Sequence, residues 1–261
     1  MTKPQVIFFG NGPLAEAALS VVSKNCDILF HAHSVADLSE VVKIKQQNPE
    51  AYGILASFGV IIRQNLLDIF EPTGILNIHP SLLPQYRGPS PIETAILDGA
   101  SDFSVSIMKL AKDMDAGDIY YQTTLSDLPL DKTVIYQKLA TAGAEWLVTN
   151  LTNLPTPVAQ DHSQATFTKK LDKSLSYLTP EKDIIDQTLR KIVAYQGYPK
   201  PKYSFFGTEC VILQAHQPSS DEKALLPLEC KDGVLSIDRL QPAGRRPMDA
   251  RGFINGYAKN R

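Results

Sequence analysis

From residue 5 to residue 79, short apolar runs alternate with amphipathic ones, and this alternation limits the fold more than any other feature. QVIFFG (5–10), DILFHAH (27–33), YGILAS (52–57) and GILNIH (74–79) read as strands. Between them LAEAALSVVSK (14–24), VADLSEVVKIKQQ (35–47) and NLLDIF (65–70) read as helices. Strand and helix in strict succession is the pattern of βαβ units and a parallel, doubly wound sheet. The α/β reading continues with a helix in SPIETAILDGA, strands in FSVSIMKL and DIYYQTTL, and a long amphipathic helix over 133–151.

The composition then changes. TNLPTPVAQDHSQATFTKK is rich in Thr, Pro and Gln, lacks apolar periodicity, and reads as a linker. Beyond it, PEKDIIDQTLRKIVAYQ (180–196) reads as a helix opened by Pro180 and acidic residues. YSFFG, ECVILQA, ALLPLEC and GVLSIDRL follow at close spacing, a rhythm that predicts a small β-barrel. The expected organisation is a domain over 1–160, a linker over 161–179 and a second domain over 180–261. The 261 residues suffice for two cores.

Charge divides along the same line. Residues 180–261 carry 13 Lys+Arg against 10 Asp+Glu, whereas residues 1–179 carry 13 against 18. A basic minor domain beside an acidic major one fits either a polyanionic partner or a solvated face. No apolar run approaches the roughly 20 residues of a membrane span. The first strand begins at residue 5, which leaves no room for a signal peptide. Cys26, Cys210 and Cys230 stand far apart and read as incidental thiols of a reducing compartment. A cytoplasmic location is expected.

The chemistry concentrates after the fourth strand. In such sheets ligands bind beyond the carboxyl ends of strands, where Asn77 and His79 lie two residues apart and point the same way. They are either ligand-facing donors or caps for backbone groups. The loop that follows holds Pro80, Pro84, Pro89 and Pro91 with Gly88, a rigid wall with little freedom to lose. KDMDAGD brings Asp113, Asp115 and Asp118 together. This is either an incomplete oxygen site for a metal or a carboxylate that steers a histidine's proton. Gly10, Gly12 and Ala15 fit G-x-G-x-x-A, yet FHAHS offers no acidic residue at the end of the second strand, so the turn reads as tight rather than dinucleotide-binding. His31 and His33 lack a third ligand. No metal is expected.

These stretches together resemble the folate-dependent formyltransferases. Asn77-x-His79, SLLPQYRGPSPIETAI and Asp115 of DMDAGD carry the superfamily signature, and FFGNGPLAEAAL resembles its opening turn. PVAQDHSQATFTKKLDK and LSIDRLQPAGRRPMDARGFING extend the likeness, the latter toward the methionyl-tRNA branch of the family. The resemblance implies a Rossmann-like domain with a small OB-like barrel. It implies transfer of a formyl group from 10-formyltetrahydrofolate to the α-amino group of methionyl initiator tRNA, with no metal and a monomeric enzyme. Asn77 and His79 would stabilise an oxyanion, and Asp115 would couple to His79 and assist proton transfer. Ser81, Leu82, Leu83 and Pro84 would line the folate pocket, with residues 55–62 as another wall. An amino-sugar nucleotide or glycinamide ribonucleotide is the alternative acceptor. The chain departs from the family in its short FHAHSVADLSE connection, where relatives carry a longer basic loop that reaches the tRNA. It also departs in SLSYLTPEKD, which lacks an acidic-Trp-Ser pattern.

Overall fold

A computed structural model describes residues 3–258; the first two and last three residues of the expected domains lie outside the described residues. The chain divides into two compact units, Met1–Ile92 with Ser101–Lys169, and Glu93–Ala100 with Lys170–Arg261.

The first unit is built on a six-stranded sheet of order β2-β1-β3-β4-β5-β6. Its strands are β1 (Gln5–Phe9), β2 (Asp27–Ala32), β3 (Tyr52–Leu55), β4 (Ile75–His79), β5 (Phe103–Lys109) and β6 (Ile119–Leu125). The first four run parallel because a helix-bearing crossover returns each to the same end. The last two are antiparallel, joined by the short loop 110–118.

Both faces are covered. On one, α1 (Gly12–Asn25) packs on α5 (Lys132–Asn150), and Gly143 of α5 brings that helix onto Ile78, Val105 and Ile107. On the other, α2 (Leu38–Gln47) and α3 (Gln64–Ile69) contribute Val41, Leu66 and Leu67 to a core with Ile7, Phe9, Phe70 and Ile75. Each fully buried side chain of this kind contributes about 1.5–3 kcal/mol. Alternation along β4 therefore sends Ile78 beneath α5 and turns Asn77 and His79 to the opposite face. No helix among the described residues is long and apolar enough to cross a membrane.

The helix α4 (Pro91–Leu97) passes from the first unit into the second at Glu93, and the second unit continues with α6 (Ile185–Ala194) and a curled antiparallel half-barrel sheet. Its strands are β7 (Lys202–Phe205), β8 (Thr208–His216), β9 (Pro227–Cys230), β10 (Gly233–Pro242) and β11 (Met248–Asp249). β10 is long enough to pair with β8 along one edge and with β9 and then β11 along the other. α7 (Ala250–Tyr257) closes the core through Phe253, which is fully buried among Phe205, Phe206 and Tyr257.

The helix expected over 180–196 begins only at Ile185. A 3-10 turn at Pro180–Lys182 precedes it, and Asp183 and Ile184 are extended. Asp183 is drawn off by Lys191 Nζ at 2.5 Å, and Asp232 of the β9–β10 turn caps Ile185 N at 2.8 Å. A distant side chain thus sets the start of the helix.

His216, at the end of β8, lies 2.9 Å from Asp238 through Nδ1 and 3.0 Å from Glu222 through Nε2. Carboxylates only accept, so both ring nitrogens donate and the imidazolium is favoured; the hydrogen bond to Asp238 is the main cause of the raised pKa. A pKa above the unfolded value stabilises fully below about 6.5, and that contribution disappears as pH rises through the folded value. With the His216 side chain 40% exposed, the effect is at most about 1 kcal/mol. Melting curves of wild type and His216→Gln should differ at mildly acidic pH and converge at alkaline pH.

Candidate active site

Asn77 and His79 are 6% and 4% exposed at the carboxyl end of β4. Register places Lys109, the last residue of β5, opposite Leu76, three residues before His79. The loop 110–118 folds back from there, because Asp115 Oδ1 comes within 3.7 Å of His79 Nδ1. The other carboxylate oxygen accepts Gly88 N–H at 2.7 Å. His79 Nε2 lies 3.2 Å from Tyr86 O, and a carbonyl only accepts, so Nε2 carries a proton. Nδ1 is then the ring atom that faces Asp115. At 3.7 Å the contact is an ion pair when the ring is charged, too long for a direct hydrogen bond.

The proline loop is held from beneath by Ser106 of β5. Its hydroxyl donates to Ser81 O at 2.6 Å and accepts from Leu83 N at 3.1 Å, while Gln122 Nε2 reaches Leu83 O at 2.8 Å. Ser81 is itself bonded to Gln85 O, and Leu83 is buried beside a cis Leu83–Pro84 peptide. Of the four residues expected to line a folate pocket, Leu82 is the one presenting a large exposed apolar side chain. From 55–62, Phe58 and Ile62 join the core while Ile61 points outward.

Residues 157–169 run as a strap across this loop. Thr166 O and Thr166 Oγ1 accept from Arg87 N and Tyr86 N at 2.9 and 2.8 Å, and Thr168 N donates to Arg87 O at 2.7 Å. Gly88 permits this approach: at φ +118, an added Cβ would stand 2.8 Å from Thr168 O. Gln160 is buried and spans two loops. Its Oε1 accepts from Arg87 Nη2 at 2.6 Å, and its Nε2 donates to Asp115 O and Gly117 O at 2.9 and 2.6 Å. Sequence reasoning missed Ser106 and Gln122, which lie in stretches without motif, and did not single out Gln160 and Thr166 within PVAQDHSQATFTKKLDK. Arg87, the only charged residue of the proline loop, was the available signal.

Other candidates lie apart from this cluster. His31 Nε2 is committed to Gly10 O at 2.9 Å, and its ring lies against that of His33, tilted by 39°. Among the described residues no group of three or more His, Cys, Asp and Glu is arranged to hold a metal. A large cavity is lined by Gln5, Asp27 and Tyr52, the first residues of β1, β2 and β3, and so opens at the other end of those strands. In the second unit Lys200, Arg239, Arg245, Arg246 and Arg251 are exposed, whereas Lys202 is paired with Glu209 at 2.7 Å.

Comparison with known proteins agrees with this architecture. Residues 11–151 match the Formyl transferase family model, and residues 185–258 match the Formyl transferase, C-terminal domain model. The methionyl-tRNA formyltransferase of Roseiflexus castenholzii is 35% identical over 246 residues, spanning 85% of this chain and 74% of that protein. In fold, the chain is similar to the methionyl-tRNA formyltransferase from Clostridium thermocellum, with TM-score 0.71 and 16% identity over 92% of this chain and 98% of that one. It is also similar to HypX from Aquifex aeolicus in complex with tetrahydrofolic acid, with TM-score 0.78 and 16% identity over 100% of this chain and 48% of that one. The match of both domain models and the level of identity to curated relatives show that the chain belongs to the formyltransferase family, in its methionyl-tRNA formyltransferase branch.

Proposed function

We propose that the chain transfers the formyl group of 10-formyltetrahydrofolate to the α-amino group of methionine esterified to initiator tRNA, the step that prepares it for translation initiation. The observation that carries this reading is the buried Asn77–His79 pair with Asp115 folded back onto it. The folate supplies an activated formyl carbon and N10 as leaving group. The amine forms a bond to that carbon, the carbon–N10 bond breaks, and one proton passes from the amine to N10. The Asn77 amide and the His79 imidazole stabilise the oxyanion that develops between those events, as fixed donors in a water-poor site. Asp115 faces His79 Nδ1 with its carboxylate and assists the transfer between the two nitrogens. Leu82 and Ile61 offer apolar surface for the pterin, with Ser81, Leu83 and Pro84 shaping the turn. No residue need become covalently modified. The enzyme acts as a monomer in the cytoplasm.

The exposed basic residues of the second unit supply the tRNA grip in the absence of a long loop after β2. Each phosphate contact adds roughly 0.9 to the slope of log affinity against log salt. Arg245→Ala/Arg246→Ala is therefore expected to flatten that slope for tRNA by up to about two, with folate affinity unchanged. Titrating both ligands across a salt series checks this; an unaltered tRNA slope would place the grip elsewhere. The function itself is tested by offering charged initiator tRNA, an amino-sugar nucleotide and glycinamide ribonucleotide as acceptors. Formylation confined to either small acceptor would overturn it.

A further inference from the structure

We infer that Gln160, anchored by Arg87, is a positioning residue that holds Asp115 against His79. The inference rests on the proposed formyl transfer and assigns that site a part which the Asn–His–Asp set does not contain. Asp115 stands at φ 51, in the left-handed region, where a non-glycine residue persists only if its surroundings impose it. Two bonds impose it here. Gly88 N–H takes its carboxylate and Gln160 Nε2 takes its carbonyl, at 2.7 and 2.9 Å. The same amide nitrogen reaches Gly117 O at 2.6 Å, so its two hydrogens clamp carbonyls two residues apart in the loop.

The other end of Gln160 is equally committed. Oε1 accepts from Arg87 Nε at 3.1 Å and from Nη2 at 2.6 Å. Arg87 is 4% exposed, and its guanidinium also reaches His162 Nδ1, at 3.0 Å. A buried guanidinium facing a neutral amide is a costly arrangement for packing alone. It polarises the amide, and a polarised amide donates more strongly at its far end. Because Arg87 N and O are also bonded to the strap, the guanidinium has a fixed base. Arg87, Gln160 and Asp115 thus form one relay from the proline loop to the carboxylate loop.

The side chain at 160 must accept at one end and donate twice at the other, which glutamine alone does at this length. Gln160→Glu separates the two halves. It keeps the Arg87 anchor, now as an ion pair, and loses both donors to the loop. Wild type and this variant would be compared in steady-state formylation, each well below its melting temperature, alone and with Asp115→Asn. The expected result is a fall in kcat of about 10- to 100-fold with KM for both substrates little changed. On the Asp115→Asn background the same change should do almost nothing, because Gln160 acts through Asp115. An equal fall on both backgrounds, or unchanged kcat, would overturn the inference. The NMR signal of the His79 ring in ligand-free protein at one fixed pH gives a readout independent of turnover. Gln160→Glu should displace it, and should displace it far less once Asp115 is Asn. Wild type that formylates none of the acceptors would count against the proposed function, while the NMR cycle would still decide the positioning role.

Discussion

His79→Ala is expected to lower kcat for formyl transfer by about 10²- to 10³-fold, with KM for the folate donor nearly unchanged. The loss falls on kcat because the imidazole is needed when charge develops on the formyl oxygen, not when substrate docks. Asn77→Ala should behave alike, since it removes the second donor of the same buried pair. Asp115→Asn keeps the shape and removes the charge that faces Nδ1 at 3.7 Å. Each protein should still fold: the hydrogen bond lost with His79 is one 3.2 Å contact to Tyr86 O, worth about 1 kcal/mol. The three act together, so the triple variant should be barely slower than the slowest single one. Near-normal turnover in Asp115→Asn would withdraw the proton-transfer role.

Gly117→Ala should cost about 3 kcal/mol of stability and most of the activity at once. The reason is space rather than backbone freedom. A Cβ at 117 would lie 1.8 Å from Lys109 O, and a main-chain oxygen at the root of the β5–β6 loop has no rotamer through which to escape. The loop must move instead, and it carries Asp115 two residues earlier and the carbonyl that Gln160 grips. For a chain of this size the expected fall in Tm is about 10 °C. Gly256→Ala in α7, where an added Cβ meets nothing within 4 Å, is the control and should stabilise by about 0.5–1 kcal/mol. If Gly117→Ala melted like wild type with full turnover, the loop would be more pliant than its contacts imply.

Local pattern and tertiary contact divide this protein cleanly. β1 to β4 and the helices between them follow from the spacing of apolar residues alone, because each element states its own period within a dozen residues. Asn77 and His79 were legible for the same reason: two residues apart at a strand end, they must share a face. The pairing of Asp115 with His79 was implied by the family resemblance and not by spacing, since DMDAGD on its own also reads as an incomplete oxygen site, and the fold-back of the loop over β4 is what brings the two groups together. α7 was not legible, as Gly252 and Gly256 depress helix propensity; burial of Phe253 and the cap from Asp249 to Gly252 N at 2.7 Å outweigh them. The segment 157–169 has no period and reads as loose chain. Its order comes from Gln160, Thr166 and Thr168 meeting backbone groups of residues up to 82 positions away, contacts that no local window contains. The sequence by itself determined the parallel sheet and the Asn77–His79 pair at the carboxyl end of β4. The tertiary structure decided what holds those residues in place, because buried polar groups choose partners by position in space rather than along the chain.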